Sequence, residues 1–243
     1  MHGQVDLFGD SLTEEDLGMV GIERKVNPWN KETILRGEKE TLGFYLSGHP
    51  LEQYARELAI LATPIRDLRP EKNRRISIAG LIVNTRTLLT RKGDRMAFLT
   101  LEDQTGRQEV AVFSDAYHAK RDLLVKDNLV VIEGEVSPDE FSGGLKMRCI
   151  DLFDWETACA KAAKYLKIEV HEHAFNDEFT EKLACTLKTL QGKSDTCPVR
   201  VFYERAGARS VLKLGDDWRV RPNKALLEKL QELEGCASVE VQY

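Results

Sequence analysis

The sequence predicts an α+β multidomain chain: a short helical segment, a five-stranded β-barrel and a small C-terminal α+β domain. Three observations predict it. Residues 98–113 alternate apolar and polar on both sides of a short polar turn. Two strand-like runs and one helical run then follow in a barrel-like order. In the last third, leucine stripes at helical spacing alternate with short β-branched runs. The expected parts are a flexible tail at 1–30, a helical segment at 31–73, a barrel at 74–154, a helical connector at 155–165 and an α+β domain at 166–243.

The tail is acidic at Asp10, Glu14, Glu15 and Asp16 and holds no lasting period. Its exception is Gln4-Val5-Asp6-Leu7-Phe8. Leu7 and Phe8 either dock on a partner or begin the first packed element, and the pattern alone leaves both open. From residue 31 the pattern is helical, with Leu42, Tyr45 and Leu46 spaced as one face. Ser47-Gly48-His49-Pro50 breaks the helix, and Pro50 suits the first position of a second helix striped by Leu51, Tyr54, Leu58 and Leu61. His49 reads as a turn residue. Pro64 and Pro70 mark a linker.

The barrel begins with a strand at 76–83, in which Gly80 suits a bulge or bend. The loop at 90–94 follows, then the hairpin. Leu99 and Leu101 share one face of its first strand, and Val110 and Val112 share one face of its second. Asp103-Gln104-Thr105-Gly106 supplies the turn, since Asp bonds its own backbone and Gly tolerates the left-handed conformation. Ser114 or Asp115 is expected to cap a helix at about 116–126, with strands at 129–136 and 145–150 after it. Three strands, a helix and two strands is the order of an oligonucleotide-binding (OB) barrel. In the remainder, strands are expected at 166–170, 199–203, 210–214, 218–221 and 239–241. Asn176 and Asn223 are expected to cap two helices stopped by Gly192 and Gly235.

Composition narrows the function. Net charge is −5, which argues against coating nucleic acid by bulk charge. The five cysteines contain no C-x-x-C, which favours a reduced, cytoplasmic setting without structural zinc. No apolar run is long enough for a membrane span, and no secretory signal opens the chain. No P-loop, G-x-S-x-G or H-E-x-x-H is present, so neither catalytic residues, a cofactor nor a metal site is expected. His171 and His173 share a strand face without a third ligand, which reads as a solvated face.

The barrel segment from 74 to 154 holds twelve Lys and Arg against thirteen Asp and Glu, so nucleic-acid binding must come from placement. Arg91, Lys92 and Arg95 cluster in the loop between strands one and two. Lys146 and Arg148 lie on strand five. If Leu99 and Leu101 face inward, Phe98 faces outward and is available to stack on a base. The competing possibilities are that Phe98 packs under a neighbouring domain and that the cations are loop solvation.

Several separated pieces resemble one family in its own order. Gln4-Val5-Asp6-Leu7-Phe8-Gly9, the segment Gly37-Glu38-Lys39-Glu40-Thr41-Leu42-Gly43-Phe44-Tyr45-Leu46-Ser47-Gly48-His49-Pro50, Leu101-Glu102-Asp103 with Gly106, Phe141-Ser142-Gly143-Gly144-Leu145-Lys146, and Trp218-Arg219-Val220 are the pieces. Together they resemble the C-terminal region of the bacterial DNA polymerase III alpha subunit. The resemblance implies a part without an active site of a DNA-directed DNA polymerase, a nucleotidyltransferase of the bacterial cytoplasm and its replisome. It implies three partners: the sliding clamp (beta subunit), single-stranded DNA and the tau subunit of the clamp loader. Gln4 would bond the rim of the clamp pocket, Asp6 would orient the peptide, and Leu7 and Phe8 would fill the pocket. The OB barrel would contact template, and residues 166–243 would bind tau. The alternative is an anticodon- or RNA-binding OB fragment of an aminoacyl-tRNA synthetase-like protein, which also carries Phe-x-x-Leu-x-Asp-x-x-Gly; no synthetase catalytic motif follows Asp154.

Overall fold

The computed structural model describes residues 28–243, apart from 72–73, 91, 141–142, 173, 175, 190–193 and 206–207. The peptide from Gln4 to Phe8, Arg91, His173 and the expected stop at Gly192 lie outside the described residues. The chain forms two compact units, residues 1–50 and 51–243.

In the first unit, α1 (Lys31–Leu42) starts at Asn30, whose side chain accepts a 2.8 Å hydrogen bond from the Thr33 amide. It ends sooner than the leucine spacing predicts. Gly43 takes a left-handed conformation (φ 81°), and its amide closes on the Lys39 carbonyl. That closure satisfies a helix-end acceptor and turns the chain away. Tyr45 and Leu46 are therefore not on the α1 face, and Leu46 is exposed. The Glu38 carboxylate instead accepts from the Ser47 hydroxyl and from the Leu46 and Ser47 amides, which hold it below the usual carboxylate range. His49 lies edge-on to Tyr45 in the turn.

The second helix is split into a 3-10 turn (Pro50–Tyr54) and α2 (Ala55–Leu61). A second 3-10 turn (Ile65–Asp67) leads to the barrel. The barrel strands are β1 (Arg75–Leu89), β2 (Arg95–Glu102), β3 (Arg107–Val112), β4 (Leu129–Pro138) and β5 (Leu145–Asp154). They close in the order β1-β2-β3-β5-β4, so the five-stranded OB-type barrel holds. Ile78, Ile82, Leu99, Leu101, Val110, Val112, Ile132 and Leu152 fill its interior.

Gly80 is not the bulge of β1, which falls between Ile82 and Asn84. Gly80 lies where β1 passes from pairing with β4 to pairing with β2. A Cβ there would sit 2.8 Å from the Glu102 carbonyl oxygen, so the close approach of two strands is what requires glycine. The barrel helix α3 (Ser114–Lys120) is shorter than expected and gives way to a 3-10 turn at Arg121–Leu123. Phe113, not Ser114 or Asp115, occupies its N-cap, with no side-chain bond.

From β5 the chain enters α4 (Trp155–Ala162), capped by Asp154, which accepts from the Thr157 amide at 2.7 Å. α4 packs Ala158 with Ala79, Val131 and Phe153 on the outside of the barrel. The terminal sheet has the order β8-β7-β6-β9, from β6 (Tyr165–Val170), β7 (Val199–Arg205), β8 (Ala208–Lys213) and β9 (Cys236–Gln242). Helices α5 (Asp177–Thr189) and α6 (Lys224–Gln231) cover one face with Phe179, Leu183, Leu187, Leu226 and Leu230. Asn176 and Asn223 cap them as expected, each accepting a 2.8 Å bond from an amide three residues on. Residues 218–221 are not a strand. Trp218 ends a 3-10 turn at Asp216–Trp218, and only an isolated bridge joins Val220 to Cys197. The chain is α+β as the pattern requires.

Candidate nucleic-acid interface

The interface starts with the hairpin register. Ala97 pairs Val112, Leu99 pairs Val110 and Leu101 pairs Gln108, which puts one parity of both strands into the barrel. Leu99, Leu101, Val110 and Val112 are fully buried. Gln108 joins them because its side-chain amide donates to the carbonyls of Leu145 and Glu109. The turn is also an anchor. One Asp103 oxygen accepts from the Thr105 and Gly106 amides, and the other accepts from the Ile65 amide at 2.8 Å. The Thr105 hydroxyl accepts from the Arg66 amide. The hairpin turn thus fastens the incoming chain to the barrel.

The other parity faces out. Arg86 pairs Phe98, Phe98 pairs Ala111, and Ala111 pairs Arg148, which makes one continuous row across β1, β2, β3 and β5. The Arg86 guanidinium lies 5.2 Å from the centre of the Phe98 ring. The Arg148 guanidinium lies 5.7 Å from the ring of Phe113, which is 45% exposed. Lys146 is exposed two residues before Arg148 on the same face of β5. Beside the row, Leu88 pairs Met96, and Leu88 is exposed. Acidic groups gather on the far side: Glu135 of β4 stands opposite Arg148, with Glu133 two residues before it. The outer face therefore carries the cationic and aromatic row across β1, β2, β3 and β5, bordered by acids on β4 and, toward the hairpin turn, by Glu109 and the Arg107–Glu102 ion pair.

Of the residues expected to bind nucleic acid, Phe98, Lys146 and Arg148 come together on this face. Lys92 is exposed in the turn after β1. Arg95 pairs Leu89 at the start of β2 and has the parity of Ala97, so it lies on the opposite side of the strand from Phe98. Its proximity to Phe98 in sequence is no proximity on the surface. Sequence reasoning passed over Arg86 and Phe113. The first strand was expected to stop at residue 83, whereas β1 runs on to Leu89 through the β-branched Thr85 and Thr87. The parity that buries Val110 and Val112 also turns Ala111 and Phe113 outward, and that signal was present in the sequence.

Burial raises the Cys149 thiol to about 12, with Asp151 adding to the effect, so this barrel cysteine is an inert core group. Among the described residues, no group of three His, Cys, Asp or Glu side chains is placed to hold a metal ion. Among them, no helix is long and apolar enough to cross a membrane.

Comparison with known proteins agrees with this architecture. Residues 76–154 match the model of the OB-fold nucleic acid binding domain. Residues 182–235 match that of the C-terminal domain of DNA polymerase III subunit alpha. The chain is 38% identical to DNA polymerase III subunit alpha of Escherichia coli K12 over 99% of its own length and 21% of that protein's. It is 37% identical to the Pseudomonas fluorescens protein (99% and 20%) and 35% identical to that of Vibrio cholerae (99% and 21%). It thus spans about a fifth of the length of these curated relatives. Among solved structures, a mitochondrial single-stranded DNA binding protein of S. cerevisiae aligns with 34% of this chain and 95% of its own (19% identity, TM-score 0.30), a likeness too low to carry any argument. Along nearly all of its 243 residues the chain is similar to a part of the bacterial DNA polymerase III alpha subunits, and its residues 182–235 match the model of their C-terminal domain.

Proposed function

We propose that the chain is a non-catalytic, tethering part of a replicative DNA polymerase III alpha subunit. Its barrel contacts single-stranded template, the peptide from Gln4 to Phe8 docks on the sliding clamp, and residues 166–243 bind the tau subunit of the clamp loader. The parent protein in this reading is a cytoplasmic DNA-directed DNA polymerase whose catalytic groups lie in other parts of it. The observation that carries the template contact is the outer row of Arg86, Phe98, Ala111 and Arg148 with Phe113 beside it. Aromatic faces take bases of any sequence, and arginines beside them meet phosphates. Acids on β4 steer a strand away from that side.

Titration with oligodeoxythymidine tests the strand contact. Phe98→Ala with Phe113→Ala should weaken binding by about 1–3 kcal/mol per lost stacked base. Unchanged affinity in a folded double variant would contradict it. The clamp contact rests on the resemblance of Gln4-Val5-Asp6-Leu7-Phe8 to a clamp-binding peptide. Leu7→Ala with Phe8→Ala should abolish capture by clamp beads without changing the melting temperature. A clamp on DNA converts such a modest contact into a tether by raising effective concentration.

A further inference from the structure

The terminal sheet ends in two edge strands, β8 and β9. The Lys164 amide donates to the Gln242 carbonyl and extends the β6–β9 ladder, and β9 is half-buried along most of its length. β8 is different. Residues 209–213 are all exposed, although alternate residues of a strand in a helix-backed sheet ordinarily face the helices. Val211 and Leu212 point to opposite faces, and they are 44% and 43% exposed. Among the described residues the strand thus has two exposed faces and one unpaired backbone edge, the surface that invites a further strand.

Charge indicates what kind of strand. Lys167, Arg200 and Lys213 stand directly opposite one another on β6, β7 and β8. Like charges in register repel across a sheet. Lys167 is relieved by Glu169 at 2.6 Å, and Arg200 stacks 3.9 Å from the Tyr165 ring. Lys213, at the open edge, makes no ion pair with another described residue. Arg209, Val211 and Lys213 share one face of β8, on which Arg209 is paired with Glu204 at 3.0 Å, so Lys213 is the cation left for a partner. A depression of about 570 Å³ bordered by Lys167, Glu169, Phe202, Glu204, Arg209 and Val211 adjoins them.

We propose that β8 is a strand-addition site for an extended segment of the tau subunit that alternates acidic and apolar residues. An acid would stand opposite Lys213, and the apolar residue two places along would cover Val211. Main-chain bonds to the open edge would supply affinity, and the alternating side chains would supply specificity. This rests on the clamp-loader reading above and adds the element and the chemistry of contact.

The test is titration of the tau subunit against the full chain and its Val211→Glu/Lys213→Glu variant, with melting temperature and amide hydrogen exchange recorded for both. Both side chains are exposed, so the variant should fold as the parent does. Affinity should fall by about tenfold or more, and tau should slow exchange at residues 210–213 of the unmodified chain. Equal affinity for both, or slowed exchange only elsewhere, overturns the β8 site and leaves the clamp-loader reading standing. If tau does not bind the unmodified chain, that reading fails, and a Glu-Val-Glu-Val-Glu peptide decides the β8 site. Shifts of the backbone resonances of residues 210–213 support it, whereas their absence, or displacement of the peptide by oligodeoxythymidine, overturns it.

Discussion

In the barrel, Phe98 and Phe113 lie beside Arg86 and Arg148; in the terminal sheet, Tyr165 and Phe202 lie beside Arg200 and Lys167. The side chains are alike, but the sheets are not. The barrel closes on itself, so every strand has two neighbours and only side chains remain for recognition. The terminal sheet stops at β8 and leaves main chain available as well. The cations differ too. Arg86 and Arg148 make no ion pair with another described residue, although the same barrel face holds the Arg107–Glu102 pair nearer the turn, whereas on the terminal face Lys167 is paired with Glu169 and Arg209 with Glu204. Unpaired arginines beside rings suit a phosphodiester strand, and a face of paired charges with an open edge suits a polypeptide.

The contrast can be broken most severely in the cores. Leu99→Ala removes a fully buried side chain from the closed barrel and should cost about 2–5 kcal/mol in urea unfolding. Leu212→Ala, on the open edge strand, should change stability by less than about 0.5 kcal/mol. A large loss at Leu212 would mean that β8 is covered after all. A smaller effect separates the cysteines. Cys149 of the barrel, with its thiol raised to about 12, should resist a thiol reagent at pH 8, while the exposed Cys185 of α5 reacts first. The same shift has a pH signature. The unfolded chain ionises this thiol near its ordinary value of 9.0 and the folded chain does not, so the folded state binds the extra proton. Stability should therefore decline as pH rises from about 9 toward 12, and Cys149→Ser should reduce that decline.

Much of this was legible in the sequence, for reasons that differ by element. Strand alternation marked the hairpin, because burial on one face imposes a period of two that leaves Leu99, Leu101, Val110 and Val112 no other place. Asn176 and Asn223 revealed helix starts, because capping is local chemistry. Helix ends were harder. Leu42, Tyr45 and Leu46 keep helical spacing across Gly43, and the left-handed Gly43 and the hold of Glu38 on Ser47 show that the chain has turned. Trp218 to Arg221 resembles a strand in composition but has only the isolated bridge at Val220. The candidate face was half visible. Phe98 followed from parity, whereas Arg86 needed the true length of β1, and Arg148 met it only through the parallel pairing of β3 with β5, a long-range contact that no local pattern encodes.

The central claim is that the barrel reads nucleic acid and the terminal sheet does not. Oligodeoxythymidine titrations across a salt series, on Arg86→Ala/Arg148→Ala and on Arg200→Ala/Lys213→Ala, test it most directly. The barrel variant should lose affinity and flatten the slope of log affinity against log salt by about 0.7 for each phosphate contact removed. The sheet variant should match the unmodified chain. The reverse pattern, with the sheet variant losing affinity and the barrel variant unchanged, would contradict the account.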